Sequence, residues 1–211
     1  GLTLTLLKYA SPGVPDLYQG SELIELSLVD PDNRRPVDYA ARQERLDELQ
    51  AMAGDTPGLA ARVRALAASP HDGRAKLWFI WRLLSLRREH AELFRDGGYE
   101  GLAVEGALQR HVVAFARRHG DEMLVVVAGR LFVGLSPGGF AEPSLPQAQT
   151  WSDTSVRLPD ELAGAQLQNL LTGETHRAGG DASLPLADAF GCIPWAAFKV
   201  RAPKHAGRIP T

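Results

Sequence analysis

Apolar residues recur at spacings of three and four between Asp72 and Gly97. Leu77, Ile80, Trp81, Leu84, Ala91 and Phe94 form one stripe, and Phe79, Leu83, Leu86 and Leu93 form a second. Two stripes predict a long helix covered on two sides, with Asp72 placed to cap its start and Gly97-Gly98 to stop it. Shorter helical patterns precede it, over residues 37 to about 52, with Pro36 near the first turn, and over residues 58 to about 68. Past Gly98 the pattern changes to short β-rich runs, of which "HVVAF", "MLVVV", "LQNLL" and "IPWAAFKV" are the clearest. His119-Gly120-Asp121 and Thr172-Gly173-Glu174 read as hairpin turns. Residues 134–149, rich in Pro, Gly and Ser, read as a long loop. Near the start, "LTLTLL" alternates strictly, which suits a strand by period and the buried end of a helix equally well. The order is therefore helices followed by a small antiparallel β-sandwich, an α+β chain.

Composition narrows the function classes without choosing one. A chain of 211 residues with 45% hydrophobic and 23% charged content can bury a core. A formal net charge of -2, with no block of Lys and Arg, gives no electrostatic footprint for nucleic acid. Cys192 is the only cysteine and has no internal disulfide partner, and no run of apolar residues is long enough for a membrane span. The expectation is a soluble, cytoplasmic protein with neither a nucleic-acid nor a membrane partner. His71, His90, His111, His119, His176 and His205 lack metal-ligand spacing, and no Gly-x-Ser-x-Gly or phosphate loop occurs, so neither a metal nor a cofactor is expected. The first residue is Gly1 and the first methionine is Met52, which reads as a fragment or a processed chain.

Polar chemistry concentrates in residues 11–49, "SPGVPDLYQGSELIELSLVDPDNRRPVDYAARQERLDEL". Pro12-Gly13-Val14-Pro15 followed by Tyr18-Gln19-Gly20-Ser21-Glu22 resembles the α-amylase superfamily of (β/α)8-barrel enzymes at the eighth barrel strand. The "LVDPDNRRPVDY" run at residues 28–39 is more specific and resembles the maltooligosyl trehalose synthase family, as do "KLWFIWRLLSLRREHAELFRDGGY", "HVVAFARR", "LLTGE" and "LPLADAF" in the same order. The resemblance implies that residues 2–10 end the seventh barrel helix, against the strand reading of "LTLTLL". Residues 15–18 would form the eighth strand, and the loop of residues 19–35 would open on the catalytic face. Implied domains are residues 1–52 for the barrel end, 53–97 for a helical segment that packs barrel to sandwich, 98–205 for the sandwich and 206–211 for a tail.

The activity implied by the resemblance is isomerisation of the reducing-end α-1,4 linkage of a maltooligosaccharide to an α,α-1,1 linkage, with retention at the donor sugar. Its partners would be the maltooligosaccharide, the remainder of the catalytic barrel and a trehalose-releasing hydrolase of the same pathway. The superfamily's catalytic carboxylates lie on strands four, five and seven, so no catalytic residue is expected in this chain. Candidate substrate-binding residues are Tyr18, Gln19, Asp30, Asp32, Asn33, Arg34 and Arg35. Guanidinium forks suit sugar hydroxyls, although "DPDNRRP" can equally form a loop bonded to itself. Glu22 reads as a structural acid held by an arginine or by backbone amides. Trp78 and Trp81 read as core, and Trp151, Trp195 and Phe198 as core or interface rather than a glucan platform. The alternatives in function are a non-catalytic carbohydrate-binding module and a piece of another α-amylase superfamily enzyme. Without the other barrel strands, the first hundred residues are expected to associate, repack or lose order.

Overall fold

The computed structural model describes residues 1–24, 36–136, 138–139 and 144–201. Helices come first: α1 (Leu2–Ala10), α2 (Tyr39–Gly54), α3 (Leu59–Ala68), α4 (Arg74–Glu89) and α5 (Ala91–Arg95). Strands β1 (Gly98–Gly101), β2 (Val104–Glu105), β3 (Val112–His119), β4 (Glu122–Gly129), β5 (Ser155–Arg157), β6 (Gln166–Asn169), β7 (Thr175–Arg177) and β8 (Ser183–Pro185) follow. A short α6 (Leu186–Ala189) and β9 (Trp195–Arg201) complete the chain. The strands form a six-stranded sheet in the order β1-β3-β4-β9-β6-β7 and a three-stranded sheet β2-β5-β8, with antiparallel pairing throughout.

The period of two in a strand explains the layering. Leu124, Val126 and Ala128 of β4 face one way with Phe115, Trp195 and Ala197, and they meet Leu6 and Tyr9 of α1 and Trp78, Phe79 and Leu83 of α4. Val125 and Val127 face the other way with Ala114, Ala116, Ala196 and Phe198, and they meet Val156 and Leu184 of the smaller sheet together with Trp151 and Phe190. The six-stranded sheet is thus covered on both faces. That is why "MLVVV" is a continuous apolar run instead of an alternating one. α1 lies against α4 and β4, so the helices and the large sheet share one core.

The elements read from the sequence are present with adjusted ends. "LTLTLL" is helical, within α1, and α2 and α3 occupy the positions expected. The β3-β4 hairpin closes with His119 opposite Glu122, and β6 pairs with β7 across residues 170–174. The long helix is interrupted. It stops at His90, whose N–H bonds to Leu86 O, and α5 resumes at Ala91. The N-cap of α4 is Gly73, and Asp72, expected to cap the helix, stands one residue before it and accepts from the Arg74 N–H at 2.9 Å. Residues 15–18 do not form the expected strand: they enter no ladder, because no described strand lies beside them. The expected long loop of residues 134–149 overlaps a 3-10 turn at each end, residues 132–135 and 148–151.

Candidate functional site

The segment that leaves α1 is built to be held from outside itself. Ser11 N–H closes α1 on Leu7 O, and Lys8 Nζ reaches back to Asp16 Oδ1 at 2.9 Å. The hydrogen bond and charge of Lys8 hold the Asp16 carboxyl below its ordinary range. Residues 14–18 then run without regular structure and are exposed except at Pro15, with Val14 at 96% and Tyr18 at 56% accessibility. A turn follows, in which the Ser21 N–H and Oγ both donate to Tyr18 O, at 3.0 and 2.7 Å. Gly20 sits in this turn at φ +87°, and a Cβ there would stand 3.2 Å from Val37 Cγ2. The turn therefore demands glycine.

The first turn of α2 locks this corner. Asp38 caps the helix by accepting from the Ala41 N–H at 2.9 Å. Four residues later, Arg42 spreads its donors over three acceptors: Glu22 Oε2 at 2.9 Å, Gly20 O at 2.6 Å and Asp38 O at 2.9 Å. The Arg42 and Glu22 side chains are only 19% and 21% exposed, so the pair is partly desolvated. Beside it, Tyr39 Oη donates to Gln19 Oε1 at 3.4 Å. Leu23 is buried, its carbonyl accepts from Lys76 Nζ at 3.0 Å, and Gly73 lies against the Leu23–Ile24 backbone.

Of the candidate residues, Tyr18, Gln19 and Glu22 are thus brought together with two groups that the sequence reading did not select, Tyr39 and Arg42. Asp30, Asp32, Asn33, Arg34 and Arg35 lie outside the described residues. The signal for Arg42 was weak, since α2 buries only Leu49 and offers little pattern from which to orient its face. The surface formed by Tyr18, Gln19 and Tyr39 is exposed and rich in hydroxyl and amide groups, with apolar ring faces. Such a surface can accept and donate hydrogen bonds to a polyol while stacking on its C–H faces.

The other aromatic candidates are buried. Trp78, Trp151 and Phe198 show 0% accessibility and Trp195 3%, whereas Trp81 is half-buried. Trp78 Nε1 donates to Leu171 O at 3.0 Å, and Trp195 Nε1 donates to Thr3 Oγ1 at 2.8 Å. Cys192 is partly buried, and burial pushes its thiol up. Among the described residues, no group of three metal-ligating side chains converges, and no helix is long and apolar enough to cross a membrane.

Comparison with known proteins gives a consistent result. No family model matches the chain. Over 153 residues, 72% of the chain, it is 42% identical to proteins named maltooligosyl trehalose synthase from two strains of Mycobacterium tuberculosis, and it spans 17% of their length. The solved maltooligosyltrehalose synthase from Arthrobacter ramosus superposes on 95% of the chain with a TM-score of 0.69 and 34% identity, the match covering 22% of that structure. An α-amylase from Anoxybacillus superposes on 98% of the chain with a TM-score of 0.54 at 21% identity, a likeness of fold alone.

Proposed function

We propose that the chain works as the C-terminal portion of a maltooligosyl trehalose synthase, with the Tyr18–Glu22 corner forming one wall of the sugar site, a reading supported by its similarity in sequence and fold to such enzymes. The reaction would convert the reducing-end α-1,4 linkage of a maltooligosaccharide into an α,α-1,1 linkage. The bond from C1 of the penultimate glucose to O4 of the last glucose breaks. The released glucose turns and returns its anomeric hydroxyl to the same C1, so the product is an isomer and no water is consumed.

Retention at C1 requires a nucleophilic carboxylate and an acid/base carboxyl roughly 5 Å apart. We assign both to parts of the enzyme that precede this chain. Glu22 does not suit either role, because an acid/base must exchange its proton with substrate, and Glu22 Oε2 is engaged by Arg42. Its part is to hold Arg42, which in turn fixes the Gly20 carbonyl and the Tyr18–Glu22 corner. Tyr18, Gln19 and Tyr39 then present hydroxyl, amide and ring faces to the sugar. A wall of this kind keeps the cleaved glucose oriented and excludes water, which would otherwise hydrolyse the glycosyl intermediate.

The observation that carries this reading is 42% identity over 153 residues, coupled with a superposition that covers 95% of the chain. A self-standing binding module with an aromatic platform is the weaker reading, because Trp151, Trp195 and Phe198 are buried in the core. The test uses maltopentaose and follows the loss of reducing ends. The 211-residue chain alone should show none, and in the whole enzyme Gln19→Ala should raise KM about tenfold, the size of one lost hydrogen bond to substrate. Turnover by the chain alone would refute the placement of the carboxylates, and an unchanged KM would refute the sugar wall.

A further inference from the structure

The exit of α1 is tied down by two arginines that come much later in the sequence. Arg87, in the last turn of α4, donates Nη1 to Tyr9 O at 3.0 Å and Nη2 to Gly13 O at 2.9 Å. Arg117, in β3, is only 1% exposed. Its Nη1 donates to Ala10 O at 3.4 Å, its Nε to Gly98 O at 2.9 Å, and its Nη2 to the carbonyls of Leu93, Phe94 and Gly97 at 3.1, 3.3 and 3.0 Å. Both guanidinia lie over the ring of Phe94, 4.5 and 5.7 Å from its centroid.

No carboxylate among the described residues pairs with either arginine. A buried cation without a counterion is costly. Here the C-terminal ends of α1 and α5, which carry the negative ends of their helix dipoles, take the place of an acid, and the Phe94 ring adds a cation–π contact. Burial lowers the pKa of both guanidinia, and the nearby Arg117 charge adds to the effect at Arg87. A leucine at either position would fill the space without this cost, so what distinguishes the arginines is the backbone they grip. Arg87 grips the junction between α1 and the segment bearing Tyr18 and Gln19, at Tyr9 O and Gly13 O, and Arg117 reaches the same junction at Ala10 O while holding the α5–β1 turn through its other bonds. The far end of that segment is gripped in the same way, by Arg42 on Gly20 O and Lys76 on Leu23 O.

We propose that Arg87 and Arg117 are positioning residues, through which α4 and the six-stranded sheet set where residues 14–24 stand against the sugar. The proposal rests on the reading of that segment as a sugar wall. It also gives the sheet a part in catalysis that requires no contact with substrate.

The test compares Arg87→Met and Arg87→Lys in the whole enzyme, because Arg117 is a buried hub whose removal lowers stability overall. Arg87→Met should speed amide exchange in residues 9–24 about tenfold, the effect of losing a charge-assisted hydrogen bond, with β4 unchanged. KM for maltopentaose should rise about tenfold while kcat stays within about twofold, the pattern of lost binding and not of lost chemistry. Arg87→Lys, which keeps one donor in reach, should recover part of both effects. Unchanged exchange in residues 9–24 would overturn the proposal. Faster exchange with an unchanged KM would also overturn it, and the Gln19→Ala enzyme then locates the failure. If Gln19→Ala raises KM, the wall stands and only the positioning role falls; if it does not, the wall reading falls as well.

Discussion

Trp78 offers the sharpest test of the packing. Its indole is fully buried between α4 and the sheet, and its Nε1 donates to Leu171 O at 3.0 Å. Replacing it by phenylalanine removes that bond and leaves a buried carbonyl without its partner, at a cost of about 1–2 kcal/mol. The smaller ring leaves a void in a well-packed core, worth about another 1–2 kcal/mol. The edge contact with Trp81, at 5.4 Å, is also weakened. The expected loss is about 2–4 kcal/mol, a large part of a total of about 5–15 kcal/mol for a globular domain. Trp81→Phe is the matched control. Its ring is half-buried and no indole hydrogen bond is at stake, so the loss should stay near 1 kcal/mol. Urea unfolding followed by far-UV circular dichroism avoids the change in fluorescence that both substitutions bring. With a slope of about 2–3 kcal/mol/M, the Trp78→Phe midpoint should fall by about 1 M and that of Trp81→Phe by less than half as much. A single transition is expected, because α1, α4 and the sheet share one core. Equal shifts for the two variants, or a separate helical transition sensitive only to Trp78, would refute the reasoning.

Two further outcomes follow from local geometry. A Cβ on Gly97 would stand 2.1 Å from Leu93 O, whereas one on Gly98 meets nothing closer than 3.9 Å. Gly97→Ala should therefore lower Tm by about 5–10 °C, at about 2–4 °C per kcal/mol for a chain of this size, while Gly98→Ala leaves it nearly unchanged; similar shifts would show that the α5-β1 turn is not so tight. On β7, the buried Nε2 of His176 has no hydrogen-bond partner and its ring packs edge-on to Phe198. Desolvation lowers its pKa from 6.5, outweighing the opposing charges of Glu174 and Asp188. The unfolded chain thus takes up this proton before the folded one, and stability is lost as pH falls below about 6.5. His176→Leu should shrink the drop in urea midpoint between pH 7.5 and 5.5, and an equal drop in both proteins would refute the assignment.

Much of this fold was legible where burial and period coincide. α4, β3, β4 and β9 are long or strongly apolar, and each was visible in the chain. β1, β2, β5 and β8 were not, because strands of two to four residues carry almost no period, whereas the equally short β7 was marked only by the hairpin turn before it. The break at His90 was hidden for a related reason: both apolar stripes continue across it, and only the tertiary fit of α5 against β3 decides where the helix stops. The expected eighth strand failed the other way. Residues 15–18 were placed as a strand by the family resemblance alone, but no described strand lies beside them, and a ladder cannot be made by one segment.

The candidate site was half legible, and the missing half follows a rule. Tyr18, Gln19 and Glu22 announce themselves as a local motif, whereas the groups that hold them, Arg42, Lys76, Arg87 and Arg117, are scattered over 76 positions and look like ordinary surface charges. Arg117 alone could have been suspected. It alternates with Val113 and Phe115, which face the helices, so the period of two sends its side chain into the same core. A cation at an inward position must find acceptors or be excluded. With no acid in reach, the acceptors had to be backbone carbonyls at the ends of helices, and Ala10 O and Phe94 O are such groups. Alternation on one strand thus predicts an inward cation held by backbone carbonyls, and the fold supplies them chiefly at the α5–β1 turn, with Ala10 O at the end of α1 as the further partner.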